Sequence, residues 1–313
     1  MLKLSIYLIL FSIISACQQS RIKGNVAEEN CAIPPITNRQ CFTDISAQRT
    51  EKTVFMLAAG ANVGKLTMTS FDLKNFSQAM QKHFEIPKSQ ICQLPNAFKA
   101  EMQAALQSLN KVLIPNDLVI IYFSGHGTQI TDDNGDEQDG ADEVLVTYDI
   151  KCKRKIIKDD YWRDDNFVSS VNSLVTNRIL TVMDTCHAAG AILGPSSPQL
   201  KNSRSKYFVK GIFGDVEHTY YPDNIIKNKT VNFNTLKGLL LAASGEAQEA
   251  REFPDKGGIF TANFLENFNK NFKRAFLQTI KDTKKDTKNS QIPQAIGNWE
   301  VIEESLIIWD IAS

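Results

Sequence analysis

Two side chains offer chemistry at once: the thiol of Cys186 and the imidazole of His126. A cysteine hydrolase needs a thiolate, a base to generate it, and donors for the oxyanion. Cys186 follows the apolar run 178–184 (RILTVMD), where the chain turns outward. His126 follows the apolar run 117–124 (DLVIIYFS) and stands between Gly125 and Gly127. Those glycines let backbone come close to a substrate and leave the imidazole uncrowded. The N–H groups of Gly127 and Cys186 are the candidate oxyanion donors. A cysteine after an apolar strand is often only a small buried hydrophobe. Here Asp184, Thr185 and His187 make a polar turn around it, which a core thiol does not require. His187 is a rival base, but sequence neighbours at a strand end point to opposite sides, which favours His126.

Three elements must bring these groups together. Runs 117–124, 178–184 and 238–244 (GLLLAAS) read as strands buried on both faces. Residues 53–59 form a further β-type run, and 91–94 a short one. Leu73, Phe76, Met80 and Phe84 recur at helical spacing, as do Phe98, Met102, Ala105, Leu106 and Leu109. A third helix begins at Ile259 and carries Phe260, Phe264 and Phe268. Strand–helix alternation predicts an α/β sandwich on a mainly parallel sheet, with ligands beyond the carboxyl ends of the strands. The three strand ends there are Ser124-Gly125-His126-Gly127, Asp184-Thr185-Cys186-His187 and Ser244-Gly245-Glu246.

The chain has 313 residues, with 35 basic against 35 acidic side chains and 42% hydrophobic content. That balance gives no electrostatic reason to expect nucleic acid as a partner. Residues 1–16 carry Lys3, an apolar run and Ser15-Ala16 before Cys17, the pattern of an export signal. Ile14-Ser15-Ala16-Cys17 resembles a bacterial lipobox, which implies lipidation of Cys17 and a membrane anchor. Gln18 in place of aspartate favours the outer membrane. Residues 17–50 are polar and read as a tether. Cys31 and Cys41 lie in it; they either pair or remain thiols. Residues 51–313 form the folded domain, interrupted at 195–235 by a long stretch rich in Pro, Lys, Ser and Asn that reads as an exposed loop.

The motifs Ser124-Gly125-His126-Gly127 and Asp184-Thr185-Cys186-His187 resemble those of caspase-like cysteine proteases (peptidase C14), closest to type I metacaspases and their bacterial relatives. Ala242-Ala243-Ser244 through Glu252 and Gly257-Gly258-Ile259-Phe260-Thr261 resemble the family's third and fourth motifs. The likeness runs from Lys52 to Trp309. It implies the caspase-haemoglobinase type of three-layer sandwich, with a mostly parallel six-stranded sheet flanked by helices. It also implies a monomer that hydrolyses protein or peptide substrates with Cys186 as nucleophile and His126 as its proton partner. Metacaspases cut after Arg or Lys, and a basic side chain wants carboxylates around it. Asp184 matches the family's pocket aspartate. Asp72, Ser124 and Ser244 are further candidates for lining the pocket, Asp72 alternatively being a helix-start carboxylate.

Calcium is the one activator the resemblance suggests, through Asp142, Asp159 and Asp160; Leu193 and Gly194 stand where a further ligand is expected. The neighbouring run 132–143 (DDNGDEQDGADE) has Glu137 where an EF-hand needs glycine. Family members are cleaved in the region of the 195–235 loop, which offers Lys201, Arg204, Lys206, Lys210, Lys227 and Lys229. The competing reading is a catalytically silent binding protein on the same fold, because a fold alone does not fix function. Ala188-Ala189, where the family usually has Ser-Gly, favours that alternative.

Overall fold

Seven consecutive buried residues, Leu118–Ser124, form the strand from which the rest of the sheet is built. In the computed structural model the described residues are 41–43, 45–46, 48–132, 141–153, 156–186, 203–206, 233–245, 249–271, 276–288 and 290–298. In chain order the main sheet uses β1 (Val54–Gly60), β2 (Ile91–Pro95), β3 (Leu118–Ser124), β7 (Ile179–Asp184), β9 (Leu239–Ala242) and β12 (Gln294–Gly297). Their spatial order is β12-β9-β7-β3-β1-β2. Only β12 runs antiparallel. The expected α/β sandwich with a mostly parallel six-stranded sheet is therefore the fold.

Alternate residues of the central strands feed two separate cores, as the period of two requires. Phe55, Leu57, Val119, Ile121 and Phe123 face α2 (Lys99–Val112) and α3 (Asp164–Asn172). Met56, Ala58, Ile120 and Tyr122 face α1 (Thr69–Phe84) and α4 (Ile259–Asn271). On that second side Phe76 stacks on Tyr122 at 4.1 Å. A last helix, α5 (Phe276–Thr287), adds Ile280 to the same core.

Two small antiparallel sheets lie outside this frame. One joins β4 (His126–Thr131), β5 (Ala141–Val146) and β6 (Trp162–Arg163). The other joins β8 (Arg204–Ser205), β10 (Arg251–Phe253) and β11 (Gly257–Gly258). Each strand is short, so the alternation visible in the sequence is weak there.

The tether expected over 17–50 does not extend to residue 50. Phe42 is buried in the core and meets the Phe55 ring edge-on at 5.7 Å. Arg49 pairs with the buried Asp117 and also donates to the Val112 carbonyl at 3.0 Å. Cys41 is bonded to Cys92 of β2, not to Cys31. The pairing joins groups 51 residues apart in sequence, which no spacing rule anticipates. Cys152 is also in a disulfide, and Cys186 is the one free thiol among the described residues. The loop expected at 195–235 is only partly described: Ser203–Lys206 enters the β8 sheet, and Phe233–Thr235 is a 3-10 turn.

Because the Cys41–Cys92 link closes a long stretch of chain, its loss should be costly. Cys92→Ala should lower stability by about 2–4 kcal/mol, read as a fall in the urea midpoint against the parent protein.

Candidate active site

The strand ends meet in register. Gly60 of β1 pairs with Ser124 of β3, and Ser124 with Asp184 of β7. The carboxyl edge therefore sets Ser124 and Asp184 side by side. The first turn of α1 adds Asp72, which is buried rather than displayed as a helix-start charge. Asp72 Oδ2 accepts from the Ser124 hydroxyl at 2.9 Å, and Oδ1 accepts from the Gly258 N–H at 2.9 Å. Asp184 Oδ2 accepts from the Thr261 hydroxyl at 2.6 Å. The pocket is thus assembled from β3, β7, α1 and the β11–α4 junction.

A cation fills it. The Lys206 ammonium lies 3.0 Å from Asp184 Oδ1 and 3.5 Å from Asp72 Oδ2. It also donates to Ser124 Oγ at 2.9 Å and to the Asp184 carbonyl at 3.1 Å. Lys206 is fully buried. Burial by itself would pull its pKa down, but Asp184, Asp72 and Glu252 outweigh it and hold the pKa above the ordinary lysine value. Burial pushes Asp72 up to about 6; Lys206 pulls the other way and Asp184 adds to the rise. Gly258 forms one wall. A Cβ there would lie 2.0 Å from Asp184 Oδ2 and 2.8 Å from Lys206 Nζ, so only glycine leaves room for both charges.

The backbone of Lys206 is held as firmly as its side chain. Its carbonyl accepts from the Gly127 N–H at 3.1 Å, and its N–H donates to the Ala250 carbonyl at 2.8 Å. The preceding residues pair antiparallel with β10, Ser205 opposite Arg251 and Arg204 opposite Glu252. The segment lies as an added strand on a sheet edge, the way an extended peptide is bound.

Cys186 and His126 lie beside residues 205–206. Cys186 Sγ accepts from Ala250 N–H at 3.2 Å and lies 3.6 Å from the Ala250 carbonyl, the same carbonyl that takes the Lys206 N–H. Gly127 presses on the Cys186 backbone, since a Cβ there would come within 2.0 Å of the Cys186 carbonyl oxygen. His126 Nε2 donates to the Val63 carbonyl at 3.0 Å. A carbonyl only accepts, so Nε2 carries the proton and Nδ1 is the basic nitrogen of the neutral ring. Burial lowers His126 to about 4, against weaker upward effects of the Lys206 and Val63 backbones. Burial likewise raises the Cys186 thiol far above its usual range. With residues 203–206 in place, both groups are neutral and dry.

Residues 58–194 match the family model described as "Metacaspase, peptidase C14 domain". That stretch of the chain is similar to the peptidase C14 domain of metacaspases. Metacaspase-1A of Aspergillus oryzae is 31% identical over 138 residues, 41% of this chain and 32% of that protein. Metacaspase-1 of Ajellomyces capsulatus is 31% identical over 126 residues, 40% of this chain and 34% of that protein. The matching part of the chain thus spans about a third of the length of these curated relatives. A crystal structure of a Geobacter sulfurreducens protein superposes with a TM-score of 0.58 at 18% identity, covering 80% of this chain and 97% of that one. That likeness concerns the fold.

The site gathers some of the expected residues and leaves others out. Asp72, Ser124 and Asp184 share the pocket, with Gly127 and Cys186 beside it. The Ser244 hydroxyl donates to the Thr185 carbonyl at 3.4 Å. Asp142, Asp159 and Asp160 each have their own surroundings among the described residues. Asp142 is buried against Arg163 at 2.9 Å, so a guanidinium already supplies the positive charge a cation would bring. Asp160 pairs with Lys153 and accepts the Ile157 N–H at 2.9 Å. No group of three or more metal-ligating side chains is found among the described residues. Cys17, His187 and residues 133–140 lie outside them.

Several contributors were not singled out from the sequence. Val63 and Ala250 act through backbone atoms, which no residue type reveals. Thr261 was visible only as part of a motif, and Glu252 only as the end of one.

The buried neutral imidazole makes a pH prediction. Its pKa falls from 6.5 to about 4 on folding, so the stability it contributes is present above 6.5 and is lost as pH drops toward 4. In a Cys186→Ala background, the stability difference between His126 and His126→Gln proteins should change in favour of the variant by up to about 3 kcal/mol across that window. Urea titrations at pH 7 and pH 4 read it.

Proposed function

We propose that this domain is a cysteine endopeptidase that cleaves after lysine or arginine and is held shut by its own Lys206. The observation that carries the reading is the Lys206 ammonium buried between Asp72 and Asp184, with its carbonyl on the Gly127 N–H. A side chain of the expected substrate type, in a substrate-like strand, sits where a scissile residue must sit. Guanidinium and ammonium both suit a pocket of two carboxylates.

The chemistry follows from the neighbours. Cys186 passes its proton to His126 Nδ1, and the thiolate attacks the carbonyl carbon. The Gly127 N–H takes the negative oxygen. The carbon–nitrogen bond then breaks, the amine leaves with the proton from His126, and water hydrolyses the thioester. The imidazole is kept in the required tautomer by the Val63 carbonyl. Applied to the chain itself, the same steps cut the bond between Lys206 and Tyr207. Once cut, the strand is free to leave, water returns, and the burial that keeps thiol and imidazole neutral is relieved.

The export reading belongs to the same proposal. Disulfides persist in oxidising compartments, and both Cys41–Cys92 and the bonded Cys152 fit one. Lipid attachment at Cys17 is tested by incorporation of labelled palmitate, expected in the parent and lost in Cys17→Ala.

Short fluorogenic peptides ending in Lys, Arg or Asp, with and without calcium, test the activity. Basic peptides should be turned over after a lag during which mass spectrometry finds cleavage after Lys206. Cys186→Ala should remain intact and inactive. Lys206→Ala should lose cleavage at that bond and act on basic peptides without the lag. Turnover only after Asp overturns the specificity, and no turnover in any form supports a silent binding protein.

A further inference from the structure

Beyond the lysine itself, the cleft holds a second basic residue. Arg204 lies two places before Lys206, and in an extended strand residues i and i+2 share a face. Its Nη1 donates to Thr67 Oγ1 at 2.7 Å and to the Lys65 carbonyl at 2.8 Å, and lies 3.6 Å from Glu252 Oε1. Glu252 is fully buried and is oriented by the Thr67 N–H, which donates to Oε1 at 3.1 Å. The nest is therefore built from three parts of the β1–α1 connection and β10, not from a mobile surface charge.

Charge balance explains why one cation is not enough. Asp72, Asp184 and Glu252 are all buried here, and Lys206 offsets one charge of the three. Burial raises the pKa of Glu252, while Lys206 and then Arg204 draw it back down. One carboxylate thus feels both basic residues, and it is Arg204 that comes within 3.6 Å of it. A ligand with only the lysine leaves the cleft more acidic and Glu252 less well compensated.

We infer that Glu252, Thr67 and the Lys65 carbonyl form a specificity subsite for a basic residue two places before the cleaved lysine, so that the preferred sequence is Arg-X-Lys. This rests on the proteolytic reading above. The Arg204 side chain is about a third exposed, 32%, so the subsite tunes selection and does not gate it. An effect of about tenfold on kcat/KM is the expected scale for such a contact.

The test uses the Arg204→Ala/Lys206→Ala protein, whose own strand no longer offers either basic residue. Its kcat/KM is compared on Arg-Ser-Lys, Ala-Ser-Lys and Glu-Ser-Lys coumarin amides, alone and with Glu252→Gln added. Arg-Ser-Lys should exceed Ala-Ser-Lys by about tenfold, Glu-Ser-Lys should be slowest, and Glu252→Gln should bring the three together. Equal turnover of the three peptides by the protein with Glu252 intact overturns the subsite while leaving cleavage after lysine in place. If nothing is turned over, the proteolytic reading fails and binding decides the subsite. For that arm, fluorescein-labelled amides of the same peptides are titrated onto the protein with Cys186→Ala added. A preference for Arg-Ser-Lys supports the subsite and equal affinities overturn it. The peptide comparison with Glu252 intact also stands if Glu252→Gln fails to fold.

Discussion

An ammonium group removed from water must be repaid by opposite charge close at hand. Lys206 is buried completely, and desolvation of such an ion costs several kcal/mol. Asp184 and Asp72 supply the compensation, and each spends its other oxygen, or a shared hydroxyl, on a fixed donor. The carboxylates are therefore held in place by Ser124, Gly258 and Thr261 and not by the lysine alone. That arrangement demands four chain segments in register, so the pocket exists only when the central sheet, α1 and the β11–α4 junction are all folded.

The same strand that delivers the lysine also sets the state of the reacting groups. Residues 204–206 complete a sheet edge at β10 and exclude water from Cys186 and His126. Thiol and imidazole respond in opposite directions, one pKa rising and the other falling, because burial penalises whichever form is charged. Both groups are therefore held in their neutral forms.

The groups around the cleft come from two parts of the domain. The parallel sheet, packed on both faces, fixes Ser124, Asp184 and the turn into Cys186. Residues 204–206 meet β10, the β1–α1 connection and the first turn of α1. The connection offers the Val63 carbonyl to His126 and the Lys65 carbonyl and Thr67 to Arg204, and α1 offers Asp72 to Lys206.

The long apolar strands and helical spacings made the parallel core legible from the sequence, because burial on both faces leaves an uninterrupted apolar run. Cys186, His126, Asp184 and Asp72 were readable as strand-end or helix-start polar residues next to such runs. The antiparallel strands β6, β8, β10 and β11 were not, since two or three residues carry no period. The Cys41–Cys92 bond joins distant segments, and its partners look alike in sequence. Asp142 had the right residue type for a cation, yet Arg163 claims it by a contact only folding creates. Among six basic residues in one loop, composition could not choose Lys206; three-dimensional complementarity of an ammonium to two preset carboxylates did. What the sequence by itself determined was the fold class and which polar side chains stand at the strand ends, because local pattern encodes burial. Which lysine enters the pocket, and which backbone carbonyl meets the His126 ring, was decided by tertiary structure, because these depend on distances between segments far apart along the chain.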